Sequence, residues 1–310
     1  MGLQTVFARL KGTFYRPLFN QYRVEGVRDY NNIVYDESNR KVCRLDVYRK
    51  TLLGNLPVFI FLHGGMSVGL GRQHRKGFCR YIASKGCAVL NLEYGTAPKE
   101  PFPAQIRQIL SALQWAENNA EKYGFNMNNT IMGGDGTGAF LAVACCSALT
   151  DEAYAAALGI TTDCKPLRGL ACFCGMYDIP FALSKSNEIA KQSAFVYALT
   201  GIDVFKEETL KNSPFYRAYC PLEYIHSDFP PVFFSHSIDD KVYPGQAERL
   251  LKTLTSAQIP YWEFCALESR SKHIWNMELA KNEAKACNDA FGDFIKAACG
   301  TGVMTARYDI

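Results

Sequence analysis

The sequence predicts an α/β fold: one mostly parallel sheet with helices on both faces and a small helical cap. Short continuous apolar runs, such as Pro57-Val-Phe-Ile-Phe-Leu62 and Cys87-Ala-Val-Leu-Asn-Leu92, have the length and character of strands covered on both faces. They alternate with stretches of helical periodicity, the order that builds parallel sheets. In one place, Ile131 to Cys146, a buried strand, a turn with four glycines in six residues and an apolar helix follow without a break.

Taken in order, the chain supports each element. The segment from Leu3 through Val6, Phe7 and Leu10 to Phe14 has helical spacing, with Arg9, Lys11 and Arg16 on its other side. Such a stripe suits an interfacial membrane helix or a lid over its own domain, and apolar stripes are more often core. Residues 1–30 are therefore expected to be an N-terminal lid segment. Asn32-Ile-Val-Tyr35 and Val42-Cys-Arg-Leu-Asp-Val-Tyr48 alternate around a turn, which predicts an antiparallel hairpin. The run 57–62 is the first buried strand, 74–86 a helix, and 87–92 the next strand. Helical periodicity over 103–116 begins with proline in its first turn. After the 129–134 strand and its helix come strands at 167–174, 231–235 and 261–265. Helices are expected at 248–254 and 278–298. Residues 177–215 break the rhythm and are read as a cap inserted into a core of 31–176 and 216–310.

Composition narrows the possibilities. A chain of 310 residues, 48% apolar and 21% charged, can bury one large core or two modest ones. A net charge of +4 from scattered residues gives no reason to expect a nucleic-acid partner. No apolar run reaches the length of a membrane span. Twelve cysteines include no Cys-x-x-Cys pair, and several lie in apolar segments, so neither a zinc site nor a disulfide framework is expected. Many thiols without a secretory signal point to a cytoplasmic location.

In a sheet of this kind functional groups gather on loops after the carboxyl ends of strands. The glycine turn has the form of a nucleophile elbow, where strand and helix pass too closely for side chains. The nucleophile position is held by Gly136. His63-Gly64-Gly65 follows the first buried strand, and its glycine N–H groups, with that of Thr137, suit an oxyanion hole. Asp239 and Asp240 end a later strand, where an acid can orient a histidine or simply cap a helix. His273 lies in the last strand-to-helix loop. His74 and His226 have no such setting and are read as surface.

Elbow, acid and histidine in this order resemble the alpha/beta-hydrolases of the hormone-sensitive-lipase-like esterase group. The likeness runs from about residue 42 onward. It rests on His63-Gly-Gly65, on Glu93-Tyr-Gly-Thr-Ala-Pro98 with Pro101-Phe-Pro-Ala104, and on Gly134-Asp-Gly-Thr-Gly-Ala139. The loop from His236 to Pro244 and His273 complete it. The resemblance implies the alpha/beta-hydrolase fold and hydrolysis of short acyl esters with no metal or organic cofactor. It implies Asp239, followed three residues later by Val242, as the acid and His273 as the base. Met66 stands where the family has a third glycine. With His63, Asp135 and Phe181 it is expected at the substrate, with Phe195 and Tyr197 nearby. The partner expected is a small-molecule ester, and a homodimer stays open.

Gly136 replaces the family's serine, so the usual acyl-enzyme cannot form. Three accounts stand side by side: a change introduced to disable an esterase, a natural loss that leaves a ligand-binding protein, and a shift of nucleophile to Asp135. Gly134, Gly136 and Ala139 also satisfy a dinucleotide fingerprint. That motif normally opens the first unit of its domain, and here two strand–helix units precede it.

Overall fold

The structure, a computed structural model, describes residues 18–50, 54–65, 70–185, 189–205, 210–267, 271–300 and 307–309. The apolar stripe from Leu3 to Phe14 and Met66 lie outside them. The expected hairpin forms the antiparallel edge of a nine-stranded sheet. In it β1 (Val27–Val34) pairs with β2 (Arg44–Lys50). The sheet then runs through β3 (Leu56–Leu62), β4 (Ala88–Leu92), β5 (Phe125–Asp135), β6 (Gly169–Phe173), β7 (Val232–Ser237), β8 (Tyr261–Ala266) and β9 (Arg307–Asp309). Their spatial order is β1-β2-β4-β3-β5-β6-β7-β8-β9, with β2 antiparallel to β4 and every later pair parallel. β9 is a strand the sequence pattern did not announce.

The helices follow from the same alternation. α1 (Lys76–Ser84) follows β3, and α2 (Ala104–Asn118) with the short α3 (Ala120–Tyr123) follows β4. α4 (Thr137–Thr150) and α5 (Glu152–Ala157) follow β5. α6 (Ile179–Lys185) and α7 (Ile189–Thr200) lie between β6 and β7, in the stretch expected to interrupt the rhythm. α8 (Gln246–Ser256) and α9 (Asn282–Cys299) complete the set. No described helix is long and apolar enough to cross a membrane.

Strand β3 shows why both faces must be covered. Val58, Ile60 and Leu62 join a core with Ile106, Ile109 and Phe140, whereas Phe59 and Phe61 join a second core with Phe78, Ile82 and Phe291. Each of these side chains contributes roughly 1.5–3 kcal/mol when fully buried. α4 is buried from Thr137 to Ala148 on every side, as an all-round apolar helix must be. The C-terminal carbonyls of α7 are met from outside the helix. Ala97 N–H donates to Ala198, and Phe102 N–H and Gln105 Nε2 donate to Leu199.

The strand order places β3 between β4 and β5, so the connections leaving β3 and β5 diverge to opposite sides. A crevice at the carboxyl ends of these two strands is where such sheets bind ligands. His63 and Gly136 begin the loops that border it.

Candidate active site

The elbow is shaped by backbone crowding. A Cβ at Gly138 would come within 2.1 Å of the Leu62 carbonyl oxygen, and one at Gly134 within 2.4 Å of the same atom. Gly136 sits between β5 and α4 at φ 53° and ψ −115°, a conformation L side chains rarely adopt. Its N–H donates to the Phe173 carbonyl at 3.0 Å, and its own carbonyl accepts from Met176 N–H at 3.1 Å. Unlike its neighbours, Gly136 has room in front of it. A Cβ there would lie 3.4 Å from His273 Nε2 and 3.5 Å from Tyr243 Cε2.

His273 is held from its other side by an acid, and that acid is Asp240. Nδ1 of His273 donates to Asp240 Oδ2 at 2.9 Å, while Val242 N–H donates to Asp240 Oδ1 at 2.8 Å. This corrects the expectation of Asp239, whose carboxylate lies 3.7 Å from the exposed Lys241 ammonium. The cause is a turn after β7, closed by the Asp240 N–H on the Ser237 carbonyl. It carries the second aspartate inward instead of the first. Burial pushes the Asp240 carboxyl up; the positive charge and hydrogen bond of His273, with backbone N–H donors, override this and leave it below its ordinary value. The two loops are tied together as well: the Ser237 hydroxyl donates to the Ser271 carbonyl, and the Ser271 hydroxyl to the Glu283 carboxylate. Tyr243 packs edge-on against His273, with ring centroids 5.1 Å apart, and Phe195 packs against Tyr243 at 5.9 Å.

Asp135 is not at the substrate. It is 1% exposed and forms a two-point pair with the wholly buried Arg75, Nε to Oδ1 at 3.0 Å and Nη2 to Oδ2 at 2.6 Å. Gly64 N–H also donates to Asp135 Oδ1, at 3.0 Å. Two expectations are corrected by this. Asp135 has both oxygens engaged and is neither a substrate ligand nor a free nucleophile, and Gly64 has its N–H turned to the elbow acid, not toward an oxyanion. Burial pushes the Asp135 carboxyl up, and the Arg75 charge and hydrogen bonds bring it below the ordinary value. The donors left for an oxyanion are Gly65, whose N–H meets no acceptor among the described residues, and Thr137, the first residue of α4.

His63 is a further correction, since it braces its loop and does not face a ligand. It is 2% exposed and stacks on Tyr94 with centroids 4.7 Å apart. Its Nε2 meets Glu93 Oε1 at 3.0 Å and its Nδ1 the Gly64 carbonyl at 3.1 Å. The Tyr94 hydroxyl donates to the His63 carbonyl. Phe181 lies beneath the Arg249 guanidinium, 4.5 Å from ring centre to Cζ, and Tyr197 is exposed. His74, expected at the surface, is 3% exposed and accepts from Gly71 N–H at 3.1 Å. Arg75, Glu93 and Tyr243 escaped the sequence reading. Glu93 and Tyr243 stood inside quoted motifs, but nothing in their spacing marked them as inward-facing.

A cavity of about 110 Å³ lined by Leu113, Met127, Thr130 and Cys164 contains none of these groups. Its wall also carries Glu117, Asp163 and Lys165 but no histidine. The strand-end cluster instead sets His273, held by Asp240, opposite the open space at Gly136.

Comparison with known proteins bears on the family and the fold. A family model described as the alpha/beta hydrolase fold matches residues 59–261. Two curated relatives from Mycobacterium tuberculosis are esterase LipC, 26% identical over 230 residues, and esterase LipQ, 23% identical over 264 residues. These alignments cover 71% and 83% of this chain but 54% and 59% of the relatives, so the chain spans little more than half their length. Esterase B from Lactobacillus rhamnosis, solved in an inhibited form, superposes with a TM-score of 0.81 at 20% identity. That match covers 94% of this chain and 93% of the other, and it is a likeness of fold.

Proposed function

The chain belongs to the alpha/beta-hydrolase family, and from that premise we propose a carboxylic ester hydrolase site whose nucleophile is missing. The observation that carries this is the space at Gly136: a Cβ added there would lie 3.4 Å from His273 Nε2, with Asp240 on the far nitrogen. A hydroxyl carried on that Cβ can come within the roughly 2.6–3.2 Å over which a proton passes to a base.

With a serine at 136, the oxygen attacks the ester carbonyl as His273 Nε2 takes its proton. Asp240 holds the ring in the tautomer with hydrogen on Nδ1 and stabilises the charged ring. The N–H groups of Gly65 and Thr137 receive the oxyanion. His273 then returns the proton to the leaving alcohol, and water repeats the sequence on the acyl-enzyme. As the chain stands, the same pocket binds short acyl esters or carboxylates and turns them over slower by roughly 10⁶, the scale lost when such nucleophiles are deleted. A ligand-binding role without chemistry is the second reading, favoured by the absence of any hydroxyl at 136.

The test is hydrolysis of a short-chain nitrophenyl ester by the protein and by Gly136→Ser. A rise of several orders of magnitude is expected. A folded Gly136→Ser protein no faster than its parent would overturn the hydrolase reading and leave ligand binding in its place.

A further inference from the structure

The ester-hydrolase reading has no use for a sulfur, yet one lies beside its histidine. Cys174 follows β6 directly, is 2% exposed and adopts a φ of 47°. Its Sγ, a carboxylate oxygen of Asp240 and a ring nitrogen of His273 all lie within 4.8 Å of one another.

Thiolate, imidazole and carboxylate together are the ligand chemistry of zinc and its softer relatives. Three protein ligands with one open position is the usual form of an accessible zinc site. We propose that Cys174, Asp240 and His273 form a site for one zinc-class divalent cation. The ion would replace the Asp240–His273 hydrogen bond, and the sulfur, within 4.8 Å of the pair, would close by up to about 1 Å. Ligand atoms about 2.0–2.3 Å from a tetrahedral ion stand roughly 3.3–3.7 Å apart. The Asp240–His273 contact at 2.9 Å therefore opens by a few tenths of an ångström, and the sulfur closes on the pair.

Charge balances. Carboxylate and thiolate together neutralise a divalent ion, so no uncompensated charge enters the interior. The proton balance is equally simple. The thiol proton leaves to solvent, and a neutral His273 moves its hydrogen from Nδ1 to Nε2, freeing Nδ1 for the ion. Burial, then the Asp240 charge, push the free thiol well above its ordinary value. A coordinated ion overcomes this because it binds the thiolate directly. The site does not depend on ester hydrolysis.

A second thiol–imidazole contact has to be separated from it. Cys265 Sγ lies 3.9 Å from His236 Nδ1, with Glu263 on the other ring nitrogen at 2.8 Å. It forms no group of three mutually close ligand atoms among the described residues.

The experiment is titration of the full chain, thiols kept reduced, with cadmium ions, following the ultraviolet charge-transfer band of the cadmium–thiolate bond. One equivalent is expected to bind with this band. Affinity should fall at least tenfold in Cys174→Ala, in Cys174→Ser and in His273→Gln, and stay unchanged in Cys265→Ala. The circular dichroism of each variant checks its fold, and the small Cys174→Ser change guards against loss of packing. A band that survives in folded Cys174→Ala and Cys174→Ser, or disappears only in Cys265→Ala, overturns the proposal. So does the absence of a stoichiometric band in the unaltered protein. Each outcome is independent of whether Gly136→Ser hydrolyses esters.

Discussion

At Gly136 two physical demands pull in opposite directions. The positive φ favours glycine, whereas the space in front of it accepts a side chain. Gly136→Ser is therefore expected to gain esterase activity and lose about 1–3 kcal/mol of stability, the cost of an L residue held in a sparsely populated conformation. Chemical denaturation of both proteins measures the loss, and equal stability would mean that the turn relaxes. The acid can be tested in the same background. Asp240→Asn in the Gly136→Ser protein should lower kcat by roughly 10⁴, because the ring is no longer held in its working tautomer. Asp239→Asn should change kcat by less than about threefold, as a surface carboxylate beside one exposed lysine contributes little. Reversal of these two results would restore Asp239 to the role the sequence suggested. The histidine was legible from its loop and its order in the chain. The choice of aspartate was not, because it is decided by one hydrogen bond from Asp240 to Ser237 that has no signature in composition.

Among the elements, the unit that matters is β5, the elbow and α4, braced from behind by α1. Arg75, just before α1, brings its guanidinium to Asp135 at the end of β5, and Asp135 in turn holds Gly64 after β3. Removing the cation leaves a buried, unpaired carboxylate. Arg75→Met is expected to cost about 3–5 kcal/mol, read as a fall in denaturation midpoint, whereas a loss below about 1 kcal/mol would show that water reaches the pair. Crowding at the other end of the unit predicts that Gly138→Val does not fold to a soluble product, since its Cβ meets Leu62 backbone at 2.1 Å. Soluble, ester-binding Gly138→Val protein would contradict that packing. Strands and helices of this unit were plain in the sequence, since apolar runs and tight glycines record burial and close approach. The Arg75–Asp135–Gly64 chain was hidden, because a buried ion pair joins residues sixty positions apart with no periodic trace.

For the molecule as a whole, pH is the variable that reports on these buried groups together. Asp135, Asp240 and Glu93 all have carboxyl groups held below their ordinary values against the opposing effect of burial. A depressed folded value means that the native state favours the charged form. The stabilisation is therefore complete above the unfolded value, near pH 4, and is lost as pH falls through the folded ones. Urea midpoints should be level above about pH 5 and fall steeply below about pH 4, and Asp240→Asn should make that fall shallower. A stability that rises on acidification would reverse the assigned signs. The mostly parallel sheet with both faces covered could be anticipated from alternating strands and helices, whereas its strand order has no trace in that alternation. The edge strand β9 could not be anticipated, because three residues carry too little pattern to be seen against a polar background.

The backbone at the elbow keeps its form through bonds that do not involve the missing side chain: Gly136 N–H to Phe173 and Gly136 carbonyl to Met176 N–H. In genetic terms the lesion is shallow. Some glycine codons become serine codons by a single base change, and nothing else in the site needs to be rebuilt. A library randomised at position 136 and selected on a short ester should return serine first, which would make this protein a near neighbour of an active esterase in mutational space.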